Sequence, residues 1–426
     1  MNPFAPMSAP KLLSSPASSR AGHKPRHAIA VAAISALLTS LVLVAGCGGG
    51  GGDAGVAQPN AAAPTATAAA FTQGTINGFG SVIVNGVRFD DSAATVTDDD
   101  GKRQTSSALR LGMRVDVDSD KVDTGTASAR ASALRFGGQV TGPVSAVDPG
   151  AGTLSVLGQG VDITATTVFD DRLVGGLTAL ASGAVVEVHG LADAVTGHIV
   201  ATRVEPAPAA TVYKLRGTVA ALDTSAKTFA VGGASISYAG LNAAALPAAL
   251  ANGMVLRVVL ATTPVAGQWL AQSLGVKLPK PVEQSAAHLR GAITAFSSSA
   301  AFSVDGLAVD ASQAVFPDGS AGLALGVQVD VLGQVSNSVL VASRVSLEAR
   351  HAGDDDRKLE LHGAITAVDP VAKTFVLRGV TVIFAGSVAF LGGSEAGLVV
   401  GAKVAVKGGV GSSRTQLAAL TISFES

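Results

Sequence analysis

Apolar residues fall on alternate positions over short stretches of this chain, and glycine interrupts the stretches at regular intervals. Phe302-Ser303-Val304-Asp305-Gly306-Leu307-Ala308-Val309 holds two alternating runs separated by Asp-Gly. Val82-Ile83-Val84-Asn85-Gly86-Val87-Arg88-Phe89 and Phe375-Val376-Leu377-Arg378-Gly379-Val380-Thr381-Val382 repeat the device. Period-two alternation marks half-buried strands. A two-residue Asn-Gly or Asp-Gly link marks a type I′ hairpin, because both central residues need positive φ.

The same landmarks recur along the whole chain. Gly-x-[Ile/Val] occurs at Gly74, Gly142, Gly217, Gly291 and Gly363, spaced by 68, 75, 74 and 72 residues. A second pattern, Gly-x-x-[Val/Leu]-x-Val, follows 35 to 41 residues later each time, at Gly112, Gly183, Gly253, Gly326 and Gly401. Two landmarks in one order predict a repeated module. The modules are 71–137, 138–210, 211–282, 283–352 and 353–426. In modules two, three and five the first strand ends at Asp148, Asp223 and Asp369. A Leu/Ala-rich stretch such as 173–181 or 241–251 precedes the second landmark. An Ala-x-x-[Val/Leu/Ile] cue then marks a last strand, as at Ala131–Leu134 and Ala201–Val204.

Three strands, a short helix or turn and two more strands is the order of a five-stranded OB-type Greek-key barrel. The fold class predicted is therefore all-β, a tandem array of five small barrels. Strand count alone leaves an SH3-like closure open. Joints are expected at Gly137-Gly138, Glu205-Pro206-Ala207-Pro208, Leu278-Pro279-Lys280-Pro281 and Ala352–Lys358. A unit of about 70 residues is marginal alone, so neighbours are expected to share buried surface.

Module one carries Gly78-Phe79-Gly80-Ser81 before its hairpin, and Leu111-Gly112-Met113-Arg114-Val115 after it. These stretches resemble the bacterial family called "domain of unknown function 5666". Members of that family resemble secreted or lipidated proteins with several β-rich modules. Modules two to five match it only at the hairpin and the second landmark. The resemblance implies an architecture and no activity.

The amino terminus reads as an address. Lys11, Arg20, Lys24 and Arg26 precede an apolar run over residues 28–45, which ends in Val44-Ala45-Gly46-Cys47. A basic segment, an apolar segment and small residues before a cut site make a secretory signal. The sole cysteine, placed there, resembles the bacterial lipobox, which implies lipidation of Cys47. Residues 1–46 are thus expected to be a lipoprotein signal peptide and 47–70 a flexible Gly/Ala/Pro-rich tether. The competing reading is an uncleaved anchor, since the run is long enough to span a bilayer. Gly48, where an Asp is linked to inner-membrane retention, implies the outer membrane of a Gram-negative bacterium. Loss of residues 1–46 removes four Lys/Arg and no Asp/Glu, moving the net charge from −1 to −5.

A negative mature chain with one Trp and two Tyr argues against nucleic-acid binding, which needs a basic face with stacking aromatics. Trp269 is the candidate for stacking on a sugar ring, against the plainer reading of a partly buried hairpin residue. Asp116, Asp118 and Asp120, with Asp123 nearby, are the candidate cation ligands, because Asp116 and Asp118 share a strand face. Asp98-Asp99-Asp100-Gly101 and Asp354–Lys358 read as solvated segments. His189 and His198 flank a predicted hairpin, but two imidazoles without a third ligand make a poor metal site, and both are read as exposed turn residues. No Gly-x-Ser-x-Gly or His-Glu-x-x-His pattern is present and no Walker or Rossmann glycine pattern opens a helix, so no catalytic residue and no cofactor is predicted. The expectation is a lipid-anchored envelope protein that binds or spaces an envelope protein or glycan. The alternative is a periplasm-facing protein in which module one holds a small ligand or cation.

Overall fold

A computed structural model describes residues 70–193, 196–247, 250–276, 283–347 and 359–425. The leader and most of the tether, Cys47 included, lie outside the described residues. So do the joints at 278–281 and 352–358 and His351. Among the described residues there is no α-helix, only strands and 3-10 turns of three or four residues. No helix there is long and apolar enough to cross a membrane.

Five barrels follow one another. The strands of module one are Ala70–Phe79, Val82–Val84, Val87–Asp90, Arg114–Ser119 and Ser128–Phe136, with Thr95–Asp98 and Arg103–Gln104 added in the loop after the third. Module two uses Val140–Asp148, Thr153–Val156, Gln159–Phe169, Val185–Ala192 and Ile199–Pro206. Module three uses Tyr213–Asp223, Thr228–Val231, Ala234–Ser237, Val255–Leu260 and Trp269–Val276. Module four uses Gln284–Ser298, Ala301–Val304, Leu307–Asp310, Gln328–Ser336 and Val339–Leu347. Module five uses Leu359–Asp369, Thr374–Leu377, Val380–Ile383, Lys403–Val410 and Leu417–Phe424, plus Ala389–Leu391.

In every module the third strand pairs parallel with the fifth, and the fourth pairs antiparallel with both the fifth and the first. The ring runs 1-2-3-5-4-1, which is OB closure and leaves no SH3-like alternative. The expected turns form as predicted: φ is 52° at Asn85, 48° at Asp305 and 52° at Arg378, each followed by a glycine near 77°. Asp148, Asp223 and Asp369 cap the next turn by accepting backbone N–H groups, such as that of Ser225 at 2.8 Å. The Leu/Ala-rich stretch is a 3-10 turn whose leucines, among them Leu173, Leu177 and Leu180, close one end of the barrel.

Why the two glycine landmarks recur is visible in the backbone. Gly112, Gly183, Gly253, Gly326 and Gly401 all have φ between 83° and 91°. Each donates its N–H to the carbonyl of Ile76, Val144, Val219, Ile293 or Ile365 of the first landmark, at 2.8–2.9 Å. The same aliphatic residue donates back to the residue after the glycine. At the first landmark a Cβ on Gly74, Gly142 or Gly291 would lie 2.2–2.5 Å from the side chain of Asn85, Leu157 or Asp305, the first residue of the hairpin turn.

The barrels are not beads held apart. Modules one and five share one hydrophobic cluster, modules two and three share another, and module four has its own. Strands also pair across modules. Ala70–Gln73 runs parallel to Ala286–Leu289 of module four, and Gly78-Phe79 runs parallel to Glu360-Leu361 of module five. Val140-Thr141 runs antiparallel to Lys214-Leu215. Sharing core in this way offsets the small interior that one barrel can build.

One motif acquires a role here, and two expectations are corrected. The Gly78-Phe79-Gly80-Ser81 segment is the seat of module five: a Cβ on Gly78 would lie 2.4 Å from the Glu360 carbonyl, and one on Gly80 would lie 2.5 Å from His362 Cβ. The Asp98–Gly101 segment is not solvated throughout. Asp99 keeps 5% of its side-chain surface because Lys214 and Arg257 of module three close over it. Glu205 and Pro206 belong to the last strand of module two, and Ala70 opens the first strand of module one, where a joint and a tether were expected.

Candidate functional site

Module one touches each of the other four, and where it meets modules two, three and four the barrels line a partly open cavity of about 380 Å³. That is the size of a small-molecule site. Its lining includes Arg114 and Arg135 from module one, Gln139 and Gln159 from module two, Arg216 from module three and Asp305 from module four.

Strand position puts these side chains there. Arg114, Asp116 and Asp118 alternate with the buried Val115 and Val117, so they project from the outside of barrel one into the junction. Arg216 lies between Leu215 and Gly217 on the first strand of module three, and its N–H donates to the Gln139 carbonyl at 2.9 Å. Gln139 Nε2 donates back to the Arg216 carbonyl at 3.1 Å, and Gln159 Nε2 donates to the Val231 carbonyl at 2.7 Å.

The charges are unevenly satisfied. Arg114 is paired with Asp305 and donates to the Arg290 carbonyl at 3.1 Å. Arg135 Nη1 donates to Asp118 at 2.7 Å, while its Nε is buried without a partner. Arg216 has both Nε and Nη2 buried without a hydrogen bond, and the nearest carboxylate, Asp99, is 3.9 Å from Nη2. Burial pushes the Arg216 guanidinium below its ordinary pKa, against the pull of Asp99 and Asp116. Unpartnered buried donors cost on the order of 1–3 kcal/mol each, more when charged.

The acidic strand is partnered residue by residue. Asp116 accepts from Gln73 Nε2 at 2.6 Å, Asp118 from Arg135, and Asp120 from the Arg130 backbone at 2.7 Å. Asp116 and Asp118 share a face as expected, but among the described residues the three side chains close enough to share one ion are Glu187, His189 and Glu205. His198 is half exposed and pairs with Asp162 at 2.9 Å. His189 is fully buried, which corrects the reading of it as an exposed turn residue. It sits on the outer face of barrel two, opposite the core residues Val186 and Val188, and the link between modules one and two covers it. Trp269 is half-buried at the start of the last strand of module three, edge-on to Tyr213 with ring centroids 5.6 Å apart.

Sequence reasoning reached the Asp116–Asp118 face but missed Arg216, Glu187 and Glu205. Each lies on an outward strand position that only a neighbouring module buries, and no periodicity within one module reports that.

No curated protein matches the chain. A family profile described as Domain of unknown function (DUF5666) matches residues 73–131, 141–205, 290–346 and 362–423. Those segments fall in modules one, two, four and five and cover more than half of the chain. Module three, which the profile leaves out, has the same five-strand closure. With four matched copies and a fifth of the same topology, the chain belongs to the DUF5666 family.

Proposed function

We propose that this is a lipid-anchored binding protein of the cell envelope whose barrels wall a shared pocket for a small, oxyanion-bearing molecule. The observation that carries the reading is Arg216, which lines the cavity and whose Nε and Nη2 are buried without a hydrogen bond, with only Asp99 at 3.9 Å from Nη2. A carboxylate or phosphate group would satisfy both in the bidentate manner guanidinium favours. Arg135 Nε offers a further donor, and Gln139 and Gln159 line the rest. Packing around module one favours this reading over a string of independent binding or spacing modules, since avidity from linked copies needs copies free to engage separately.

Anchoring is part of the proposal. It rests on the basic segment, the apolar run and Cys47, and it places the protein at the outer membrane. Retention of a Cys47→Ala form in outer-membrane fractions would refute it. The pocket is tested by thermal shift of the full chain against small mono- and dicarboxylates and phosphate esters. A member of that panel should raise the melting temperature of the wild type and leave Arg216→Met unmoved. A panel without effect, or an equal shift in both proteins, contradicts the reading.

A further inference from the structure

Glu187 and Glu205 are directly opposite each other on the antiparallel fourth and fifth strands of module two. Like charges in that position repel and destabilise a sheet unless something lies between them. His189, two residues along the same face as Glu187, is fully buried, and neither ring nitrogen completes a hydrogen bond. Its Nε2 is 3.5 Å from Glu187 Oε1, and the backbone of Gly137 lies beside the ring. One ligand atom from each of the three residues falls within 4.8 Å of the others. Two facing carboxylates and an imidazole that completes no hydrogen bond turn three ligand atoms toward one another.

We propose that Glu187, His189 and Glu205 bind a divalent transition-metal ion, with zinc the best match to one nitrogen and two carboxylate donors. Ligands about 2.0–2.2 Å from a tetrahedral ion stand roughly 3.3–3.6 Å apart, close to the His189–Glu187 separation. Glu205 gives one oxygen to Arg203 Nε at 2.7 Å and keeps the other for the ion. Arg203 is also held by Asp170 at 2.8 Å, so the surroundings stay net negative. Glu187 remains 28% exposed, which gives the ion a path from solvent. The site is independent of the Arg216 pocket and involves none of its arginines.

The test is zinc binding by the full chain in detergent, stripped with chelator and titrated with zinc alone. Wild type and Asp118→Asn should hold one zinc per chain, and cobalt should give the intense visible absorption of a four-coordinate site. Glu187→Gln alters a half-buried group and should keep the fold, checked by circular dichroism, yet bind at least about tenfold more weakly. His189→Gln should lose the cobalt spectrum. Absence of stoichiometric zinc from the wild type, or affinity unchanged in Glu187→Gln, overturns the proposal.

Discussion

The backbone N–H of Gly112 donates to the carbonyl of Ile76 at 2.9 Å, and the N–H of Ile76 returns a bond to Met113 at 2.8 Å. This reciprocal clasp joins the first strand to the start of the fourth in all five modules, and each clasp needs a residue with φ near 85°. At Gly253 a Cβ would meet open space, so Gly253→Ala isolates the conformational cost, about 1–2 kcal/mol. At Gly112 the same Cβ would also lie 2.5 Å from the Thr202 carbonyl of module two. Gly112→Ala should therefore lose clearly more stability than Gly253→Ala in chemical denaturation. Equal losses would mean that the contact between modules one and two carries no weight.

The docking of module five depends on a glycine too. Gly80 has φ of 149° and approaches His362, while Arg88 reaches across to Glu360 and to His362 Nε2 at 3.0 Å. Gly80→Val should cost about 1–3 kcal/mol through overpacking. It should also speed amide exchange at Gly78-Phe79 and Glu360-Leu361 without affecting the core of module three. Hydrogen exchange resolved by peptide reads both regions at once.

Asp99 and Asp100 are neighbours with different environments. Asp99 is nearly buried between Lys214 Nζ at 3.0 Å and Arg257 Nε at 2.8 Å, whereas Asp100 is 46% exposed. Burial raises the Asp99 carboxyl, but Arg257 and Lys214 outweigh it and hold the group below its ordinary pKa. Asp99→Ala leaves partly buried cations short of a counter-charge and should cost about 3 kcal/mol. Asp100→Ala should cost under about 1 kcal/mol and less still in high salt. Denaturation curves at two salt concentrations separate the two cases.

Acid stability should report on module four. Burial raises the Asp330 carboxyl, but His288 at 3.0 Å and Arg290 at 2.8 Å overcome this and hold it at about 2, below its ordinary 3.8. A carboxylate with a depressed folded-state pKa contributes stability that is present above about pH 4. That stability is lost as pH falls through 2. The amount is about 2 kcal/mol. Asp330→Asn should be less stable at neutral pH and show a flatter stability profile between pH 4 and pH 2.

The barrels were legible because their signals are local. Asn85-Gly86 and Asp305-Gly306 announce turns whose geometry few other residues accept, and Ala131–Leu134 or Ala201–Val204 supply the buried rungs of each last strand. That barrels share buried surface followed from their size, but which faces meet was not legible. Gly78 and Gly80 stand in the sequence only as part of a family motif, yet what they accommodate lies some 280 residues away in module five. His189 and Glu187 alternate correctly with Val186 and Val188, so the pattern assigns them to solvent, and only the Gly137–Gln139 link turns that face into an interior. Arg216 was hidden for the same reason. Its strand is plain, but its cavity takes walls from four modules.

Small-angle X-ray scattering of soluble residues 70–426 tests most directly whether the other four barrels pack around module one. A compact unit of that length should have a radius of gyration of about 21 Å and a rounded distance distribution. A radius above about 30 Å, with the long tail of five barrels in a row, would contradict the packing and remove the walls of the proposed pocket.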